Sequence, residues 1–151
     1  MNHINAPSIR QFLKDEHIRN IQSGDWVDLF DEFGNQLKGI RGRMGAAGLT
    51  LNGNEIGVDL IEMKPGAAFP LHSHPGDHIL FVISGSGIVH IDGIDYAIDT
   101  EDSIFIPAEY PHGVRFDGCS SSSVFQFLAF GYPHKHLSAK DRMKLAKELQ
   151  K

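Results

Sequence analysis

A series of short β-branched and aromatic runs, separated by Gly, Asn, Asp and Pro, fills the middle of this chain and limits its possible folds more than any other feature. The runs are WVDLF, QLKGIRGRM, LTLNG, EIGVDLIEM, HILFVIS, GIVHID, DYAID, SIFIPA, HGVRF and VFQFLAF. Many short strands in succession are typical of a sandwich or a barrel. We therefore expect an all-β fold.

The segments between these runs carry turn signals. Lys64-Pro65-Gly66 combines a proline of fixed φ with a glycine that tolerates positive φ, which is the pattern of a type II turn. Ser84-Gly85-Ser86-Gly87 and Asp92-Gly93 each separate two apolar runs. Residues 78–98 are therefore predicted to form consecutive antiparallel hairpins.

Helix signals lie at the two ends of the chain. Pro7 precedes SIRQFLKDEHIRNI, and this spacing predicts a helix of about three turns within residues 1–24. Ser138 with Asp141 resembles a capping box and predicts a helix over residues 137–151. With 151 residues and no repeat, we expect one domain over residues 1–151.

Composition excludes several classes of protein. A net charge of −5 argues against nucleic-acid binding, and we interpret the basic side chains of residues 140–151 as a solvated helix face. The longest apolar run, Ile79 to Ile83, is far too short to cross a membrane, and the N-terminus lacks a signal-peptide pattern. The single cysteine, Cys119, cannot form an internal disulfide. We expect a cytoplasmic protein with neither nucleic-acid nor membrane partners.

Histidines carry the strongest chemical signal. His72 and His74 flank one residue, so that on a strand both imidazoles project from one face. His78 follows after the turn-forming Pro-Gly-Asp, and a closed barrel could bring His112 to the same point. Imidazole suits Fe, Ni, Cu or Zn, and four neutral imidazoles leave the charge of the ion uncompensated. The alternative is that these histidines are core or surface residues without a metal.

His3 and His17 lie in the N-terminal helical region and receive no role, and the other three histidines give weaker signals. His134 and His136 repeat the HxH pattern but have no third histidine nearby, and His90 alternates with apolar residues in GIVHID. We interpret all three as structural or exposed residues.

The spacing of these residues resembles the cupin superfamily over about residues 55–130. Its first motif, G(X)5HXH(X)3-4E(X)6G, is matched by Gly66, His72, His74 and Gly85, with His78 in the place of the glutamate. The second motif, G(X)5PXG(X)2H(X)3N, is fitted in part, by Asp102, Pro107 and His112. Its two glycines and its asparagine are replaced by Glu101, Glu109 and Phe116.

This resemblance implies a cupin jelly-roll β-barrel with metal ligands on its inner face. The ligands that it implies are His72, His74, His78 and His112, which would hold one divalent ion, namely Fe, Ni, Zn, Cu or Mn. Because His78 stands where the family has a carboxylate, another acid would have to supply negative charge. Glu109 and Asp77 are the candidates near the motifs in sequence.

The resemblance also suggests a class of reaction. Cupins with all-histidine sites are similar to oxygenases that bind diketone or enediol-like molecules as chelates, so we expect a dioxygenase-type metalloenzyme acting on a small molecule. Glu109, Tyr96, Tyr110 and Arg43 are weak candidates for catalysis or ligand orientation. The alternatives are a non-catalytic binding or sensing protein and a metal-dependent isomerase or lyase. Because cupins often pair, we further expect a homodimer formed through residues 26–51.

Overall fold

The chain folds into two antiparallel β-sheets, as described by a computed structural model for residues 11–31, 33–118 and 123–133. One short α-helix, α1 (Lys14–His17), and one 3₁₀ turn (Ile21–Ser23) precede the strands. The strands are β1 (Val27–Phe30), β2 (Gln36–Leu49), β3 (Glu55–Met63), β4 (Ala68–His72), β5 (Asp77–Ser84), β6 (Gly87–Ile91), β7 (Ile94–Ile98), β8 (Ser103–Ile106), β9 (His112–Arg115) and β10 (Phe125–Tyr132). The predicted all-β jelly-roll class is confirmed.

The two sheets share one apolar core. The larger sheet has the order β1-β2-β3-β10-β5-β8 and the smaller sheet has the order β4-β9-β6-β7. Leu80, Val82 and Phe127 of the larger sheet join Val89 and Val114 of the smaller sheet in one buried cluster. The sheets therefore pack face to face as the two walls of a barrel, and side chains alternate between the core and the outer surface.

One of the two predicted hairpins is wrong. The chain between β5 and β6 is not a hairpin: β5 pairs with β10 and β8, whereas β6 pairs with β7 and β9, so residues 84–87 carry the chain from one sheet to the other. Gly85 has a φ of 87°, which permits this change of direction. The second hairpin, β6–β7 across Asp92-Gly93, is present, with positive φ at both turn residues as a type I′ turn requires.

The N-terminal helical segment is shorter than predicted where the structure describes it. Leu13 and Ile18 on either side of α1 have extended backbone, so the helix has little more than one turn. The Leu13 N–H donates to Nδ1 of His17, which closes this single turn. The C-terminal helix predicted for residues 137–151 lies outside the described residues. No helix in the described part of the chain is both long enough and apolar enough to span a membrane.

Candidate metal centre

His72 and His112 face each other across the pair of strands β4 and β9. The two residues are direct partners in the strand register, and their ring centroids lie 4.4 Å apart. His112 is two residues before the core residue Val114 and so lies on the same inner face of β9. Both rings therefore project into the barrel.

An irregularity in β4 makes this pairing possible. Phe69 pairs with Val114 and His72 pairs with His112, so that residues 70 and 71 of β4 lie opposite the single residue Gly113 of β9. In a regular strand, residues three apart face opposite sides, and the extra residue lets both Phe69 and His72 face inward. Gly113 lies opposite this bulge, where an added Cβ would be only 2.9 Å from the carbonyl oxygen of Phe69. A glycine is therefore needed between His112 and Val114.

His74 joins the site from a connecting segment and not from a strand, which corrects our explanation of the HxH spacing. β4 ends at His72, and residues 73–76 lead to β5 through Gly76, whose φ is 104°. His74 is buried, and its ring centroid is 5.4 Å from that of His72 and 4.9 Å from that of His112. The N–H of Glu109 donates to the His74 carbonyl at 2.9 Å. This bond fixes the connecting segment against the loop that leads to His112.

The three side chains can offer nitrogen atoms to one ion. His72, His74 and His112 each have a ring nitrogen within 4.8 Å of the ring nitrogens of the other two. Nitrogen atoms about 2.1 Å from a shared ion lie at most about twice that distance apart, so a small closing movement would complete coordination.

Backbone carbonyls orient the rings. Nδ1 of His72 lies 2.6 Å from the carbonyl oxygen of Pro70, and Nδ1 of His112 lies 2.8 Å from that of Tyr110. Nδ1 of His74 lies 3.3 Å from the carbonyl oxygen of Pro75. A carbonyl only accepts, so each Nδ1 carries the proton and donates it, and the lone pair of the neutral ring is on Nε2. This arrangement is usual for histidines that bind a metal through Nε2.

Burial favours the neutral form of His112. Desolvation lowers the pKa of His112 below its ordinary value of 6.5, and its hydrogen bond with the Tyr110 carbonyl opposes this shift only in part. His112 is therefore uncharged at neutral pH, which is the form that binds a metal.

His78 lies beside this group on the opposite wall of the barrel. It is two residues before the core residue Leu80 on β5 and pairs with Ile106 of β8 and Gly131 of β10. Its ring centroid is 4.3 Å from that of His74 and 6.1 Å from that of His112. His78 is not part of the three-histidine group, and its role as a fourth ligand stays a prediction.

The other sequence candidates have different positions. Glu109 and Tyr110 are exposed and contribute backbone groups to His74 and His112, as described above. Tyr96 is on the edge strand β7, two strands away from β9. Arg43 lies on the outer surface, where its guanidinium group is 4.1 Å from the centroid of the Trp26 ring. Arg43 is therefore not placed to orient a ligand in the barrel.

The two acids near the motifs have different structural roles. The Asp77 carboxylate accepts a hydrogen bond from the Ala108 N–H at 2.8 Å, which holds the loop before β9 against the start of β5.

Glu109 has a φ of 70°, and Glu101 has a φ of 72°. Both glutamates thus adopt a left-handed backbone conformation at the positions where the second cupin motif has glycine.

Sequence reasoning missed a third acid, Asp59. Asp59 is buried and pairs across the sheet with Ala129, which in turn pairs with Leu80. Directly opposed residues share a face, so Asp59 faces the inside of the barrel. The neighbouring inner row contains Gly57, Gly131 and His78. The alternation of β3 was the available signal, because Asp59 is two residues before the core residue Ile61.

This combination defines a class of protein: a two-sheet β-barrel that holds a cluster of histidines between its walls. Residues 59–125 match the family described as the Cupin domain. The fold is similar to that of an RmlC-like cupin from Shewanella frigidimarina, with a TM-score of 0.60 and 20% identity over 80% of this chain and 94% of that chain. Residues 59–125 of the chain thus match a cupin domain, and the fold of the described residues is that of a cupin.

Other similar proteins have names that indicate different chemistry. A predicted oxalate decarboxylase from Thermotoga maritima has a TM-score of 0.58 and 16% identity, over 74% of this chain and 95% of that chain. The mannose-1-phosphate guanylyltransferase of Escherichia coli is 30% identical over 77 residues, which are half of this chain but only 16% of that enzyme. The fold is therefore shared among proteins of different activity, and the site must indicate the reaction.

Proposed function

We propose that this protein is a mononuclear metalloenzyme of the dioxygenase type that acts on a small chelating molecule. The observation that carries the proposal is the convergence of His72, His74 and His112, with each Nδ1 directed at a backbone carbonyl. This donor set fits a borderline divalent metal such as iron, nickel, copper, zinc or manganese. Three protein ligands leave positions open for substrate, as in catalytic rather than structural sites.

The protein contributes orientation and a shielded environment. His74 and His112 are buried, so the imidazoles are held in a region of low dielectric where charge interactions are strong. A bound divalent ion supplies Lewis acidity and, if it is redox-active, electron transfer to dioxygen. Three neutral imidazoles carry no charge, so a chelating anion such as an enolate would compensate the positive charge of the centre.

Asp59 is our candidate for the acid–base residue. Its buried carboxylate lies on the inner face of β3. The adjacent row of paired residues across the sheet consists of Gly57, Gly131 and His78. These glycines add no side chain between Asp59 and His78. In this proposal, the Asp59 carboxylate accepts the proton that a diketone or an enediol loses when it binds as an anion.

Oxygen consumption tests the proposed reaction. Protein purified without added metal is analysed for bound metal, loaded anaerobically with Fe(II), and then mixed with acetylacetone or ascorbate in an oxygen electrode. We expect oxygen uptake above that of His112→Ala treated identically. Asp59→Asn should retain the metal and lose at least ten-fold in rate. Metal binding without oxygen uptake from either probe would contradict the oxygenase assignment.

The outcome with zinc separates the alternatives. A chain that is isolated with zinc and gains no oxygen uptake after iron loading would instead fit a Lewis-acid isomerase or lyase or a non-catalytic binding protein.

A further inference from the structure

Strand β7 is an edge of the smaller sheet, and one of its faces becomes more exposed along the strand. On this face Ile98 is 6% exposed, Tyr96 is 48% exposed and Ile94 is 54% exposed. The three residues share the face because side chains alternate along a strand. Asp95 faces the opposite way, where its carboxylate lies 2.7 Å from Nδ1 of His90.

The strand register shows that the face of Tyr96 is the inner one. Tyr96 pairs with Val89, which pairs with Val114, and both valines belong to the buried core. Directly opposed residues share a face of a sheet. Tyr96 is therefore directed toward the inside of the barrel, although half of its surface is exposed.

Ile94 continues the row of the metal ligands. His72 pairs with His112, His112 pairs with Ile91, and Ile91 pairs with Ile94. Neighbouring strands are about 4.8 Å apart, so Ile94 lies about 10 Å from His112 along this row. An inner surface thus leads from the histidines to the exposed edge of the sheet.

Strand β8 forms the edge of the larger sheet and follows β7 in the chain. Residues 99–102 join the two strands at the end where Ile98 is buried. On β8, Ile104 pairs with the core residue Leu80 and is only partly buried. The two edges therefore lie close together at this joint and separate toward the histidines. We call the space between them the edge cleft, and its lining side chains are Ile91, Ile94, Tyr96 and Ile104.

The lining of the edge cleft favours an apolar and flat group. None of its four side chains is charged, so an ionic group would lose hydration there without compensation. Tyrosine offers an aromatic ring for stacking and can keep its hydroxyl group in water. Because the edge cleft continues the row of His112, a molecule that is chelated at the histidines would extend its remote part into it.

We propose that the edge cleft binds an aromatic substituent of the chelated molecule and that Ile94 and Tyr96 determine this specificity. The substrate class is then an aryl-substituted diketone or enediol. This inference rests on the proposed function, since it requires a metal that chelates the molecule. Tyr96 lies two strands from β9, which suits contact with the remote part of the molecule and not with the metal.

The affinities of two diketones test the inference on protein that is loaded with zinc, so that binding is measured without oxidation. Benzoylacetone differs from acetylacetone by a phenyl group in place of one methyl group. Calorimetric titration gives the two Kd values, and we call their ratio the aryl preference. Burial of about 60 Å² of apolar surface raises affinity about ten-fold, so we expect an aryl preference of about ten or more.

Substitutions in the edge cleft should change the aryl preference and not the chelation. Tyr96→Ala and Ile94→Ala should each lower it about five-fold and leave the Kd of acetylacetone within about two-fold, because they remove only apolar contacts with the ring. Tyr96→Phe should retain the preference. Ile94→Phe fills the edge cleft and should exclude benzoylacetone. Zinc content and far-UV circular dichroism establish that each variant is folded and loaded.

A matched control removes an exposed ring from the same pair of edges. Phe105 is 60% exposed on β8 but lies on the face opposite to Ile104, so Phe105→Ala should leave both Kd values unchanged. Acetylacetone binding without an aryl preference, or the same preference in folded Tyr96→Ala and Ile94→Ala, would overturn the inference while chelation stands. Binding of neither diketone would contradict the chelation in the proposed function, and this inference with it.

Discussion

His72 and His112 are direct cross-strand partners, with ring centroids 4.4 Å apart and with each Nδ1 directed at the carbonyl of the residue two positions earlier. The same backbone contact thus orients both rings. It also determines which nitrogen of each ring is left for an ion, because the protonated Nδ1 donates to the carbonyl.

This geometry predicts the tautomers of the metal-free protein. At pH 8, ¹⁵N NMR of the imidazoles should show that His72 and His112 are protonated at Nδ1, although free imidazole side chains favour Nε2. His90 serves as a comparison on the outer surface, where its Nδ1 lies 2.7 Å from the Asp95 carboxylate. An Nε2–H tautomer at both His72 and His112 would contradict the proposed ligand atoms.

The lowered pKa of His112 predicts how the stability of the metal-free protein depends on pH. An unfolded chain binds a proton at His112 near pH 6.5, whereas the folded chain binds it only at a lower pH. Between these values the unfolded state holds more protons, so the free energy of unfolding should fall as the pH drops below about 6.5. Urea unfolding at pH 8, 6.5 and 5 measures this decrease, which should be smaller in His112→Gln. An identical pH dependence in the two proteins would contradict the assignment to His112.

His78 can be tested by two substitutions with different expected results. Glutamate restores the carboxylate of the resembled motif, so His78→Glu should retain the metal while its added negative charge changes reactivity. His78→Ala should weaken metal retention and activity, because it removes the predicted fourth ligand, whose ring lies 4.3 Å from that of His74. Metal analysis paired with oxygen uptake measures both properties. Unchanged metal content and activity in both variants would show that the site uses three histidines only.

The sequence predicted the site better than it predicted the strands around it. The spacing of the motifs predicted His72, His74 and His112 as ligands, because only a few residue types can bind a metal and they are therefore recognisable in a sequence. The structure brings these three residues together. The run AFPLH of β4 was not among the predicted strands, since it contains a proline and lacks β-branched residues, although the HxH argument placed His72 and His74 on a strand. Conversely, much of LTLNG forms the turn between β2 and β3, although two leucines and a threonine favour a strand.

Other features depend on contacts between distant parts of the chain. The pairing of β5 with β10 joins residues about 50 positions apart, and no local pattern around Ser84–Gly87 distinguishes a hairpin from a passage between sheets. The inward position of Asp59 follows from its register with Ala129. A polar residue in an apolar strand is ordinarily predicted to face outward. Only the alternation of β3, in which Asp59 is two residues before the core residue Ile61, indicates an inward position.

The central claim is that His72, His74 and His112 together hold one metal ion, and metal content measured by mass spectrometry tests it most directly. Wild-type protein, purified without added metal and then dialysed against a limiting divalent metal mixture, should contain about one ion per chain. His74→Ala and His112→Ala should each lower the content well below one, because removing one of three ligands greatly weakens binding. His90→Ala, His134→Ala and His136→Ala should keep the wild-type content. Full occupancy in the double variant of His72 and His74, or loss of metal only in the His134 and His136 variants, would contradict the account.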